Sequence, residues 1–214
     1  FALKAITYHY VREYNCDLPY LRYLHVANFV KQLEYFNENY HILSPQEFIE
    51  VVRGEHRTTE NDLILTFDDA FIDHYQYVYP ILSKNNWVGI FYVPTFIYQS
   101  NETLNVHKVQ HLLAKKHPKD LLCRAQELVK DYMLDPKVGT ETGAYAYQSH
   151  DSGRHEKAVK LLLNYQLLRN YQDSVIELLF RENFPEGIES RLYLNRNEIN
   201  DIHSGGMIIG SHGV

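Results

Sequence analysis

The chain has 214 residues, 45 % hydrophobic and 22 % charged, which is ordinary globular usage and a length for one domain rather than two. The 21 Lys and Arg against 27 Asp and Glu leave a net charge of -6, and no basic cluster interleaved with aromatics offsets it. A nucleic-acid partner is therefore disfavoured. No apolar run is long enough for a membrane span. Cys16 and Cys123 form no CxxC pair and read as two free or buried thiols. The chain opens on Phe1 with no visible signal peptide, which leans toward a cytoplasmic location over the periplasm or cell envelope. Tyrosine is abundant, and its rings suit sugars and general packing alike.

In chain order, the first ten residues form an apolar strand ending in Tyr8-His9-Tyr10. Val26, Phe29, Val30, Leu33 and Phe36 recur at helical spacing and predict one buried stripe. A short strand over 40–43 leads into Ser44-Pro45-Gln46-Glu47, a helix start with an N-cap serine, a first-turn proline and a capping-box glutamate; Gly54 can end that helix. Leu63-Ile64-Leu65-Thr66-Phe67 is a buried strand, followed by a helix around 77–85 with Pro80 tolerable only in its first turn. Residues 87–93 form another apolar strand, on which Trp87 is most simply core. Asn195-Arg196-Asn197-Glu198 is a second capping-box start, and Met207-Ile208-Ile209-Gly210 is a buried strand leading to Ser211-His212. Strands alternating with helices predict a parallel sheet, with open sheet and barrel both compatible.

Residues 98–191 break this pattern. Leu121, Ala125, Leu128 and Tyr132 form one helical stripe, and Leu168, Tyr171, Val175 and Leu178 another, with a polar, Gly-rich loop over 139–153 between them. The expected organisation is an α/β domain made of 1–97 and 192–214 with a helical insertion at 98–191. That insertion would serve as a lid over the strand ends or as a contact surface for another subunit, making a homo-oligomer.

The chemistry concentrates at Asp68-Asp69, directly after the strand over 63–67. Ligands and catalytic groups gather at the C-terminal ends of parallel strands. Two adjacent carboxylates repel, which asks for a cation or an unusually wet site. A nucleotide-hydrolase reading needs a G-x-x-x-x-G-K-[ST] loop, and Gly139-Thr140-Glu141-Thr142-Gly143 lacks the lysine, carries a glutamate and follows no strand. An aspartyl-phosphate phosphatase wants its two aspartates one residue apart, whereas these are adjacent.

Thr66-Phe67-Asp68-Asp69, with Ser211-His212 after a later strand and Tyr8-His9 on the first, resembles the polysaccharide deacetylases of the NodB-homology group, which are carbohydrate esterase family 4-like. The resemblance implies an incomplete, distorted (β/α) barrel and a metal-dependent hydrolase that removes acetyl groups from an N-acetylated or O-acetylated sugar or polysaccharide, as in bacterial cell envelopes. It implies Asp68 as catalytic base, and Asp69 and His212 as ligands of a divalent transition metal, zinc foremost. Carboxylate and imidazole suit zinc, which would polarise the acetyl carbonyl and bring the pKa of a water to about 7.

The sequence departs from the family at Ala70, where glycine is usual, and in the length of the insertion. The second histidine of the family's His-x-x-x-His pair falls two residues beyond Val214, and the general acid belongs to later strands. The rival expectation is a non-catalytic carbohydrate-binding or scaffolding member of the same fold; a third is a deacetylase of a small sugar precursor. His9 lines the pocket and contacts substrate, or makes a structural hydrogen bond to the loops. His107 and His111, spaced i, i+4 but lacking the glutamate of H-E-x-x-H, read as solvated or partner-facing. His74 reads as a surface residue, and His150 and His155 as solvated groups in the polar loop.

Overall fold

The computed structural model describes residues 2–100, 102–138, 153–188 and 192–213. It opens with β1 (Lys4–Tyr8), β2 (Val11–Arg12), β3 (Leu24–His25), α1 (Val26–Asn39), β4 (His41–Ile42), α2 (Pro45–Arg53) and β5 (Asp62–Phe67). A π-helical segment, His74–Val78, runs into α3 (Tyr79–Lys84), then come β6 (Gly89–Pro94) and α4 (Phe96–Ser100). Four longer helices follow: α5 (Asn105–Lys115), α6 (Pro118–Leu128), α7 (Arg154–Leu161) and α8 (Arg169–Asn183). The chain closes with α9 (Arg196–Ser204) and β7 (Ile208–His212).

Contacts divide these elements into two units, Phe1–Tyr14 with Tyr23–Glu102 and Glu189–Val214, and Asn15–Arg22 with Thr103–Ile188. The first holds a parallel sheet in the order β1-β5-β6-β7, with β4 paired to the start of β5. Among the described residues β1 and β7 remain its two ends, so the (β/α) barrel is incomplete, as expected. All six residues of β5 are buried, the mark of a strand covered on both faces. At its end Phe67, 0 % exposed, stacks on Tyr8 and Phe91 at 5.6 and 4.9 Å and meets Phe29 edge-on. Leu33, Leu65, Val78, Leu82 and Ile202 complete that core.

Local chemistry explains where the helices begin. Ser44 caps α2 through the Glu47 backbone while the Glu47 carboxylate returns to the Ser44 backbone, and Asn195 with Glu198 repeats the box on α9. Gly54 stops α2 at φ +76°, a left-handed conformation that costs glycine nothing. Pro80 lies in the first turn of α3, where its missing N–H is harmless.

The helical unit has its own core, built on Leu112, Leu121, Ala125, Val159, Leu163, Ile176, Leu179 and Phe180. The expected α8 stripe is rotated: its buried face is Val175, Ile176, Leu179 and Phe180, while Leu178 is 48 % exposed. Leu121 and Ala125 are buried on α6, but Tyr132 lies beyond the helix end and is exposed. His107 and His111 are buried rather than solvated; the His111 Nδ1–H reaches the His107 carbonyl at 2.9 Å along α5. His155 is exposed, but on α7 rather than in a loop, and His150 lies outside the described residues with most of the 139–153 loop.

Gly89 begins β6 where no side chain fits. A Cβ there would stand 2.7 Å from Leu82 Cδ1 and 2.9 Å from the Phe91 ring, and both neighbours are fully buried, so neither can swing away. Gly89→Ala is expected to destabilise the protein by about 1–3 kcal/mol through overpacking, read as a lower denaturation midpoint with an unchanged slope.

Candidate active site

Consecutive residues of a strand point to opposite faces, so two adjacent aspartates should diverge. Here the strand ends at Phe67, and Asp69 and Ala70 both enter the left-handed region at φ +75° and +52°. Each such non-glycine residue costs about 1–3 kcal/mol unless its surroundings impose it. They do so here. The Asp68 amide continues the ladder to the Tyr8 carbonyl at 3.0 Å, and the Ala70 carbonyl accepts from the Leu194 amide at 2.8 Å. Phe71 bridges and stacks on Tyr193. Position 70 is thus a conformation that glycine would adopt freely, with a fully buried methyl in its place.

The turn brings both carboxylates to the same two imidazoles. His9 Nε2 lies 3.8 Å from Asp68 Oδ2 and 3.9 Å from Asp69 Oδ2. His212 Nε2 lies 3.9 Å from Asp68 Oδ2 and 3.9 Å from Asp69 Oδ1. All four residues singled out from the sequence therefore meet, from the ends of β1, β5 and β7. The β6–β7 register, which sets Pro94 beside His212, carries the last of them to the same edge. The aspartate side chains are 20 % and 14 % exposed and the histidines 54 % and 33 %, so the cluster is open to solvent from the imidazole side.

Chemically the donor set is two carboxylates and two imidazoles, the ligand types that zinc accepts. Two donors sharing one zinc in tetrahedral geometry stand roughly 3.4 Å apart, so separations of 3.8–3.9 Å would have to close by a few tenths of an ångström. Among the described residues no group of three or more His, Cys, Asp and Glu is arranged to hold a metal ion as it stands. His212 has the support that ligating histidines carry: Nδ1 donates to the Gly213 carbonyl at 2.7 Å, which leaves Nε2 as the lone-pair nitrogen facing the carboxylates. In donor type the residues suit a divalent transition metal, while their spacing as it stands is too wide for one.

Three supporting residues escaped the sequence reading. Arg12 donates through Nε and a terminal nitrogen to the two Asp73 oxygens at 2.8 and 2.6 Å, a bidentate pair. Burial pushes the Asp73 carboxyl up, and this fork opposes the shift only in part. His74, expected at the surface, is 0 % exposed; its Nε2–H donates to the His9 carbonyl at 2.8 Å while its ring packs against Phe67, Phe71 and Phe91. Residues 73 and 74 thus tie down the segment after β1, His74 through the His9 carbonyl and Asp73 through the Arg12 side chain. A pattern that could have exposed Asp73 and His74 is a polar pair that follows the two aspartates after the short apolar stretch Ala70-Phe71-Ile72.

The class these features define is an α/β protein with a carboxylate–imidazole cluster at the C-terminal ends of a parallel sheet. No family model and no curated protein matches the chain. Among solved structures it is similar to IcaB from Ammonifex degensii, at 24 % identity over 43 % of this chain and 38 % of that one, with a TM-score of 0.35. It is also similar to a de-N-acetylase from Aggregatibacter actinomycetemcomitans, at 15 % identity over 98 % of this chain and 54 % of that one, with a TM-score of 0.43. A third is the deacetylase PplD from Streptococcus pyogenes, at 14 % identity over 83 % and 80 %, with a TM-score of 0.38. The chain spans less than two thirds of the length of the first two. No helix among the described residues is long and apolar enough to cross a membrane.

Burial in this aromatic cage depresses the His74 pKa from 6.5 to about 4, and its Nδ1 has no hydrogen-bond partner. The unfolded chain takes up that proton first, so the stability due to neutral His74 is complete above pH 6.5 and falls away as the pH drops toward 4. Chemical denaturation at pH 7 and pH 4.5 should show the protein losing about 2–3 kcal/mol more than a His74→Phe variant does.

Proposed function

We propose that the protein is a metal-dependent deacetylase of an N-acetylated or O-acetylated sugar or polysaccharide. The observation that carries this reading is the convergence of Asp68 and Asp69 on both His9 and His212, at 3.8–3.9 Å, at the end of a buried parallel strand. The Thr66-Phe67-Asp68-Asp69 and Ser211-His212 strings supply the family resemblance.

Asp69 and His212 would hold the divalent ion, with zinc favoured by the donor set. When bound, the ion supplies Lewis-acid polarisation of the acetyl carbonyl and a more acidic water. Asp68 stays off the ion and accepts the proton of the attacking water. Two carboxylates with separate tasks, one neutralised by a cation and one taking a proton, also relieve the repulsion that their adjacency creates. His9 is more than half exposed and has its backbone fixed by His74, so its ring is available to hydrogen-bond a sugar hydroxyl or the acetamide.

The two aspartates separate the reading into independent tests. Asp69→Ala is expected to lose both bound metal, measured by elemental analysis, and acetate release from an N-acetylglucosamine oligomer. Asp68→Asn should keep its metal while kcat falls by about 10²–10⁴-fold, the usual share of general-base catalysis. An Asp69→Ala protein that retains metal and turnover would defeat the assignment. A protein that binds the oligomer yet never releases acetate would be the scaffolding member instead.

A further inference from the structure

A second cleft lies at the opposite end of the same sheet. It is lined by Asn37 at the end of α1, His41 on β4, Gln46 and Glu47 at the start of α2, and Asn86 and Trp87 ahead of β6, and its volume is about 470 Å³. That falls inside the range of roughly 300–1,000 Å³ usual for small-molecule sites. His41 pairs with Asp62, the first residue of β5, whereas Asp68 follows its last. At about 3.3 Å per residue, the length of β5 sets this cleft roughly 20 Å from the carboxylate cluster.

We infer that this cleft binds a neutral sugar residue, separately from any reaction at Asp68 and Asp69. Trp87 is the single tryptophan of the chain and is only partly buried against the core. An indole offers a flat apolar face for the C–H side of a pyranose ring and an N–H for a hydroxyl. Among the described residues neither the Trp87 indole nitrogen nor the Asn37 and Asn86 side chains make a hydrogen bond, and an amide both donates and accepts, as a hydroxyl does. The remaining polar groups are already held in place. His41 Nε2 contacts Glu47 Oε1 at 2.9 Å, Glu47 Oε2 takes the Ser44 backbone and hydroxyl, and Gln46 donates to Glu50. No lysine or arginine lines the cleft, and the Glu47 carboxylate is fixed within it, so a phosphate or carboxylate ligand is disfavoured. A neutral, polyhydroxylated ring is the class that matches a partly exposed indole edged by amides free to donate and accept.

Because Trp87 is the only tryptophan, intrinsic tryptophan fluorescence reports on this cleft alone. The protein is titrated with N-acetylglucosamine trisaccharide, with maltotriose and, for comparison, with adenosine. A saturable change with at least one sugar is expected, and Asn37→Ala and Asn86→Gly should each weaken it about two- to ten-fold, the loss of one hydrogen bond. Both positions are exposed and glycine accepts the φ of +55° at residue 86, so both variants should fold as the parent does. Asp69→Ala should leave the titration unchanged, which keeps this site distinct from the proposed deacetylase site: either can fail without the other. No saturable change with either sugar, a response to adenosine alone, or a sugar response abolished by Asp69→Ala would each overturn the inference.

Discussion

The candidate site depends on one constraint: β5 cannot turn about its own axis. Its six residues are buried on both faces and its last, Phe67, is held between stacked Tyr8 and Phe91 rings. The backbone that leaves such a strand starts from a fixed position and direction. The left-handed turn at Asp69 and Ala70 then folds back what an extended chain would splay, so that neighbouring carboxylates face one spot. Burial of apolar surface thus sets the direction of the strand end, and strain in two residues converts that direction into a constellation.

Polar groups sunk beneath the cluster follow from the same requirement. A loop end carrying His9 needs fixing, and the Phe67, Phe71 and Phe91 rings around His74 offer no hydrogen bonds of their own. The Arg12–Asp73 fork and the His74-to-His9 bond supply them, at the cost of desolvating a charge pair and leaving one imidazole nitrogen unpartnered. A core optimised only for stability would replace all three by apolar side chains. Their presence directly behind the site fits a balance struck for geometry.

Much of this was legible in the residues. Strand β5, both capping boxes and Pro80 in the first turn of α3 follow from local chemistry, because each rests on neighbours within four residues. The four clustered side chains were singled out through the string resemblance and their place at strand ends. What was not legible depended on tertiary surroundings. His74, His107 and His111 looked like surface histidines because composition says nothing about what packs above them; all three are buried, and the His74 and His111 rings each meet a backbone carbonyl and an aromatic ring. The expected α8 stripe holds at Val175 and fails at Leu178, since Leu178 and Leu179 are equally apolar and only the neighbouring helices decide which faces inward. The left-handed pair at 69 and 70 had no signal at all beyond the missing glycine.

The four clustered side chains do not share one footing. Asp68 and Asp69 leave a strand hydrogen-bonded along both sides, whereas His212 ends β7, which among the described residues pairs with β6 alone and is nowhere fully buried. The carboxylates are thus placed by β1 and β6 together, and the imidazole by its register on β6. A slip of one residue between β6 and β7 would turn His212 to the other face and open the clamp.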